Sequence, residues 1–422
     1  MESLRELYKI GVGPSSSHTM GPQRAAFKIK ETYPNANHYE VYLHGSLALT
    51  GKGHLTDKII EEVLGKENVE IHFVSEELPK HPNGMIFKVY QNDKLLDCIT
   101  VYSIGGGALL YDDDNLQPPK QVYPHKNLNE ILEYCDKKGI NLYDYVLEFE
   151  GDDFKIYLYE IVDAMFASVE AGLFATGMIP GKLKLKRVAK SIYQQAINTH
   201  RSGDRDRLLV SSYAYAVSEE NASGHRIVTA PTCGASGVLP AVMYYCYKQL
   251  NISKKEIIKA LAVAGVFGNV IKANATISGA DGGCQAEIGS ACSMAAAAYG
   301  WILELNNNLI QYAAEMGLEH NLGLTCDPVG GYVQIPCIER NGFGALRAMD
   351  AAMYAKQLGY LRKNKVSFDA VVRVMKQTGK DLNSAYKETS LGGLAKEFGF
   401  ENEGVSESVH GNIVWNQMRL KF

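Results

Sequence analysis

Residues 282–298, GGCQAEIGSACSMAAAA, and residues 325–341, TCDPVGGYVQIPCIERN, hold the pattern from which the rest of the chain is read. The first stretch leaves a Gly-Gly turn and enters SACSMAAAA, an apolar, Ala-rich run with no polar face. Such a run reads as a helix buried on all sides, inside a bundle. Cys292 lies within it and reads as core. Cys284, Cys326 and Cys337 differ, because each is flanked by backbone breakers. Gly282 and Gly283 precede Cys284, Asp327-Pro328 and Gly330-Gly331 follow Cys326, and Pro336 precedes Cys337. All three are therefore expected on irregular backbone that a cofactor can approach closely. Their spacings are too long for a zinc ribbon or for the Cys-x-x-Cys steps of a ferredoxin. Spacing alone leaves two readings open: reduced cysteines packed as small hydrophobes, or three thiolates around one metal centre.

Outward from this stretch, helical periodicity begins near Ile156 and recurs over 162–174, 188–196, 255–271, 289–305, 345–357 and 368–375, with Ser253 and Glu256 set as a capping box. Residues 1–150 read differently. Tyr39, Val41 and Leu43 alternate with polar neighbours, and residues 85–103 are two strands around a Gln91-Asn92-Asp93 turn. Residues 57–64 read as a short helix capped by Thr56 or Asp57. The expected fold class is α+β: an N-terminal mixed α/β sheet domain with helices on one face (1–150), a mostly α-helical catalytic domain (151–395) and a C-terminal tail (396–422). Residues 112–121, acidic and then Pro-rich, read as a surface loop.

Composition narrows the function classes. With 422 residues, 46% hydrophobic and 21% charged, the chain has the make-up of an ordinary soluble protein of two domains. A formal net charge of −4 and a pI near 6.3 give nucleic acid no electrostatic footing. The one basic run, KLKLKR at 182–187, reads as solvated surface. The longest apolar stretch is too short for a membrane span, and residues 1–10 do not resemble a secretory signal. Eight cysteines without such a signal point to the reducing cytoplasm, where thiols bind metal or stay free.

Several short segments carry side chains suited to chemistry. Ser15, Ser16, Ser17, His18 and Thr19 precede a helix expected to begin near Gly21-Pro22. Hydroxyls and backbone amides at a helix N-terminus suit a carboxylate, and four hydroxyls exceed what an ordinary cap requires. Gly51-Lys52-Gly53-His54 follows HGSLALT, which contributes Ser46; Lys52 is a cation for a carboxylate and His54 a general base. His44 reads as structural. Ser103 ends a strand before Gly105, Gly106 and Gly107, whose bare amides can form an anion nest. Thr232 offers one more hydroxyl, beside Cys233.

GCQAEIGSACSMAAA, CDPVGGYVQIPCIERN, GPSSSHTMGP (13–22) and GSLALTGKGHLTD (45–57) closely resemble the iron-sulfur-dependent L-serine dehydratases, or L-serine ammonia-lyases, over nearly the whole chain to about Ala395. The resemblance implies that Cys284, Cys326 and Cys337 hold a [4Fe-4S] cluster with one open iron. It implies an amino-acid substrate, a homodimer, and serine converted to pyruvate and ammonia, with the open iron as Lewis acid for the β-hydroxyl. His54 is then the first choice as base and His18 the second. Ser15 to Thr19 and Ser103 would hold the substrate carboxylate at a site between the two domains. In the family a cysteine near the C-terminus commonly caps the open iron. This tail has none, so either the open iron carries water or another ligand such as His410, or the autoinhibitory tail is absent. Family sequences usually carry Asn where Cys233 stands, and Cys233 is not assigned to the cluster. Two alternatives remain: a pyridoxal-phosphate dehydratase, for which only Lys52 is flanked by glycines, and a metal-sensing protein with structural zinc. Threonine and cysteine remain open as substrates beside serine.

Overall fold

A computed structural model describes residues 1–112 and 121–398. Most of the loop expected over 112–121, and the tail beyond Phe398 with His410, lie outside the described residues. The five-stranded sheet runs in the order Val69–Val74, His38–His44, Gly84–Gln91, Lys94–Ser103, Leu109–Tyr111. Its first pair is parallel, with Val41 opposite Ile71, and the rest are antiparallel. The expected hairpin turns at Asn92 and Asp93, whose φ values of 49° and 62° are left-handed positions that Asn and Asp tolerate. Period-2 alternation puts Tyr39, Val41, Leu43, Met85, Phe87, Val89 and Val101 on one face. Helices Gly21–Thr32 and Thr56–Leu64 bury that face with Ala25, Ala26, Ile29, Ile59, Ile60 and Val63.

The Thr56 or Asp57 cap is not formed. Leu55 takes the cap position in left-handed backbone, with φ 60°. Thr56 Oγ1 instead donates to the carbonyl of His18 at 2.6 Å, so a hydroxyl that local sequence assigns to a helix end serves a long-range contact. Only half of the Ser253–Glu256 box is present. Ser253 Oγ accepts from Glu256 N at 3.3 Å, while the Glu256 carboxylate takes Lys259 at 2.7 Å.

The second body is helical around Ser290–Ile302, whose residues from Ser290 to Gly300 are all buried. It packs among Val238–Gln249, Lys254–Asn274, Asn307–Glu319 and Cys337–Leu358. The all-round apolar character of SACSMAAAA is thereby explained: every face meets another helix. This core also takes in Leu4, Leu7 and Tyr8 and the buried faces of Leu128–Lys138 and Leu142–Glu150. Asp369 secures the first of those helices by accepting from Leu128 N and Asn129 N, both at 2.9 Å. We propose on this ground that the chain divides between Tyr111 and Gln121 rather than at 150. Among the described residues no helix is long and apolar enough to cross a membrane.

Candidate functional site

The histidines are brought together by the exit of the strand His38–His44 and the turn that precedes the helix Gly21–Thr32. His54 follows the short helix Ser46–Thr50 and is fully buried. Its Nδ1 lies 2.9 Å from the Thr50 carbonyl, which only accepts, so Nδ1 carries the proton. Nε2 is left as the basic nitrogen, buried and without a hydrogen-bond partner. His18 lies beside it, the rings tilted by 31° with centroids 4.5 Å apart. Ser46 Oγ donates to the Glu388 carbonyl at 2.8 Å and therefore accepts from His18 Nε2 at 2.9 Å. His18 Nδ1 then accepts from Ser17 Oγ at 2.9 Å. Both nitrogens of His18 are thus committed to a directional chain running from Ser17 to the Glu388 backbone. Thr19 Oγ1 closes the unit by donating to the His54 carbonyl at 2.7 Å. Burial holds both imidazoles in the neutral form, His18 well below the usual value and His54 lowered to about 4.

Across from them lie the three cysteines. Cys284 precedes the turn Gln285–Gly289, and Cys337 opens the helix Cys337–Leu358, so the latter is on a helix terminus rather than in a loop. Cys326 is on irregular backbone: its N donates to the Tyr386 carbonyl at 2.8 Å, and its own carbonyl accepts from Glu388 N at 2.7 Å. The hydrogen bond from Cys326 and the nearby Arg340 guanidinium lower the Cys284 thiol to about 6. The same thiol pairing, with burial, drives Cys326 well up, and burial followed by the Cys284 charge does so for Cys337. The sulfurs share one electrostatic environment.

Two carboxylates enter it. A Cβ on Gly279 would come within 2.9 Å of Glu287 Oε2, 3.2 Å of Glu388 Oε2 and 3.3 Å of Cys326 Sγ, so these three groups converge over bare backbone. Burial, then the Cys284 charge, pushes Glu287 up to about 8. Glu388 sits in left-handed backbone at φ 59°, with Oε1 3.6 Å from both His18 Nδ1 and His54 Nε2. His18, His54 and Glu388 offer ligand atoms within 4.8 Å of one another, enough to hold a metal ion, although His18 would have to release Ser17 or Ser46 to take part.

The remaining expected residues fall into three groups. Ser15 caps the first turn, its Oγ accepting from His18 N at 3.1 Å, and Ser16 is buried in the same turn. Thr232 Oγ1 donates to Glu287 Oε1 at 2.7 Å. Ser103 Oγ is buried without a partner, and Gly105, at φ 96°, brings its Cα to the edge of Ser278, whose Oγ is equally unpartnered. Lys52 is turned outward: it is exposed, and its ammonium lies 5.3 Å from the centre of the Phe73 ring. Cys233 and Cys292 are buried core, and Cys233 Sγ meets Met20 Sδ at 3.3 Å.

Glu287, Ser278, Arg340 and Glu388 were not anticipated. Glu287 and Arg340 stand inside the quoted cysteine stretches, three residues from Cys284 and Cys337, which was the available signal. Glu388, in KETSLGG, carries none. Gly53 shows how closely the two bodies meet, since a Cβ there would lie 2.6 Å from the Gly331 carbonyl. Gly53→Ala should therefore cost about 1–3 kcal/mol of stability by overpacking. Thermal unfolding checks this, and an unchanged midpoint would mean that the loop yields freely.

Comparison with known proteins extends over nearly the whole chain. The family model for the serine dehydratase beta chain matches residues 3–70, and that for the serine dehydratase alpha chain matches residues 60–395. The L-serine dehydratase of Haemophilus influenzae is 38% identical, over 94% of this chain and 99% of that protein. L-serine dehydratase 1 of Escherichia coli is 37% identical over 94% and 99%. The L-serine dehydratase of Streptomyces coelicolor is 38% identical over 93% and 98%.

Proposed function

This chain belongs to the serine dehydratase family, and from that premise we infer that it is an L-serine ammonia-lyase, converting L-serine to pyruvate and ammonia. One observation carries the reading: the unpartnered Nε2 of His54 lies 3.6 Å from Glu388 Oε1, and the other oxygen of that carboxylate converges with Glu287 and Cys326 Sγ over Gly279. The donor set suits a [4Fe-4S] cluster. Three thiols with mutually linked charges supply one ligand fewer than closes a four-iron cluster, and Gly279 keeps the backbone beside Cys326 free of a side chain. Cys284, Cys326 and Cys337 would hold it, and when bound it would supply a Lewis acid for the β-hydroxyl, a poor leaving group at neutral pH.

The chain's own residues account for the other demands of the reaction. His54 Nε2 removes the α-proton, its tautomer fixed by the Thr50 carbonyl. Ser103 and Ser278 hold the substrate carboxylate, as the nearby hydroxyls that lack partners. Ser15, Ser17, Thr19 and Ser46 support the site by locking the two histidines to each other and to Glu388. Burial excludes water from the base. The enamine released by loss of hydroxide tautomerises and hydrolyses to pyruvate and ammonia in solution. A Schiff-base route through Lys52 has no support, since that side chain points away into solvent.

An anaerobic assay of keto-acid release from L-serine, L-threonine and L-cysteine tests the reading, with pyruvate from serine expected to dominate. Release from none of the three would overturn it. The homodimer implied by the resemblance and the cytoplasmic location expected from the cysteines belong to the same proposal, and sedimentation of the anaerobic protein tests the first.

A further inference from the structure

We propose that Glu388 receives the α-ammonium of the substrate and so selects an amino acid over a hydroxy acid or simple acid of the same shape. The proposal rests on the lyase reading above and adds to it the residue that recognises nitrogen.

The first support is position. A base that reaches the hydrogen on Cα and an acceptor that reaches the hydrogens on the nitrogen bonded to that carbon must lie side by side. His54 Nε2 and Glu388 Oε1 are 3.6 Å apart. The second is an open acceptor on the same carboxylate. Glu388 Oε2 is buried and makes no hydrogen bond, and a buried acceptor left unpaired costs free energy that a donor from the substrate would recover. The third is that the neighbouring cation is already engaged. Glu287 Oε2 and Cys326 Sγ converge with Glu388 Oε2 over Gly279. The neighbouring cation, Arg340, is engaged elsewhere: Nη1 donates to the Thr325 carbonyl at 2.6 Å and Nη2 lies 3.5 Å from Asp327 Oδ1. His18 supplies no positive charge, because both its nitrogens are tied into the neutral serine chain. An ammonium donor entering this space therefore meets an acceptor that Arg340 does not occupy, and the substrate carries one.

The backbone adds a fourth support. Glu388 holds a left-handed φ of 59°, which costs energy for a residue other than glycine. It is fastened on both sides, through its N–H to Cys326 and through its carbonyl to Ser46. The residue is thus fixed relative to both the cysteines and the base, as a group that sets the substrate's orientation must be.

Two ligands separate this role from a structural one. L-Serine carries the ammonium, whereas 3-hydroxypropanoate has hydrogen in its place and is expected to inhibit by occupying the same carboxylate and hydroxyl contacts. For Glu388→Gln in the anaerobic holoenzyme, KM for L-serine should rise about 10- to 100-fold while the inhibition constant of 3-hydroxypropanoate stays within about 2-fold, the difference expected for loss of one charge-assisted hydrogen bond. Calorimetric binding of L-alanine, which does not react, should weaken in parallel with the serine KM. Glu388→Asp keeps the charge and should recover part of the affinity for both amino acids. Equal weakening of amino acid and deaminated acid, an unchanged serine KM, or an Asp variant no better than Gln would each overturn the assignment. If the Gln variant fails to fold, the Asp variant decides the matter by the same ratio. Failure of the wild-type protein to make pyruvate would instead defeat the lyase reading itself.

Discussion

Replacing His54 with Gln should lower turnover about 10²- to 10⁴-fold, the usual worth of a positioned general base, and leave the brown colour of the reconstituted protein intact. The Gln side-chain amide can still donate to the Thr50 carbonyl, so the turn survives. What disappears is the basic nitrogen, since nothing on Gln replaces the lone pair of Nε2. Burial lowers His54 to about 4, so at neutral pH the free base is fully present in the resting site. A group with a lowered folded value keeps its unprotonated form until the pH falls through that value. The acid limb of kcat/KM should therefore lie well below 6.5, with no loss of rate between pH 7 and the ordinary histidine range. His44→Gln is the control: its Nδ1 meets the Glu76 carbonyl at 3.1 Å, and turnover should change far less. An inactive His44 variant beside an active His54 variant, both with the cluster assembled, would transfer the role of base elsewhere. His18 is poorly suited to inherit it, because taking a proton there requires breaking its bond to Ser17 or Ser46.

The contrast between His54 and Glu388 shows which parts of the site are legible in sequence. His54 follows Gly51-Lys52-Gly53 in a short motif, and the chemistry of an imidazole near neutral pH is readable from one residue. The hairpin at Asn92-Asp93 is readable for a similar reason, because those residue types tolerate the left-handed backbone that the turn requires. The buried helix Ser290–Ile302 announces itself by having no polar face. Glu388 depends instead on Ser46, 342 positions away, and on Cys326, and no local period or cap encodes either contact. Thr56 is the converse case, a plausible cap by sequence whose hydroxyl is drawn to His18 by tertiary structure. Cys337 was expected in a loop because Pro336 precedes it, yet proline just before a first helical turn is also compatible with a helix start. The helices Leu128–Lys138 and Leu142–Glu150 follow the sheet in sequence but bury their apolar faces in the helical core, a choice that only packing decides. Local chemistry was thus readable, and the partners that make it a site were not.

Serine in place of Cys284, Cys326 or Cys337 should in each case remove the cluster and, with it, a Lewis acid worth several kcal/mol, about 10³-fold or more in rate. The expectation follows from the number of thiols. Three ligands hold a four-iron cluster with one iron open, and a remaining pair lacks the donors to keep it. Cys292→Ser should retain iron and sulfide, because that residue lies fully buried inside the helix Ser290–Ile302. Its cost is one of packing and belongs in the unfolding midpoint rather than in the metal content. The open position also predicts loss of activity in air, since an iron without a fourth thiolate is exposed to oxygen, and recovery on anaerobic incubation with iron, sulfide and a reductant. Iron and sulfide analysis of the four variants, beside the turnover of each, decides the assignment. Stable, full activity in aerated and chelator-treated protein would exclude a catalytic cluster. Loss of iron in Cys292→Ser with retention in Cys337→Ser would mean that the cluster is ligated from within the buried helix instead.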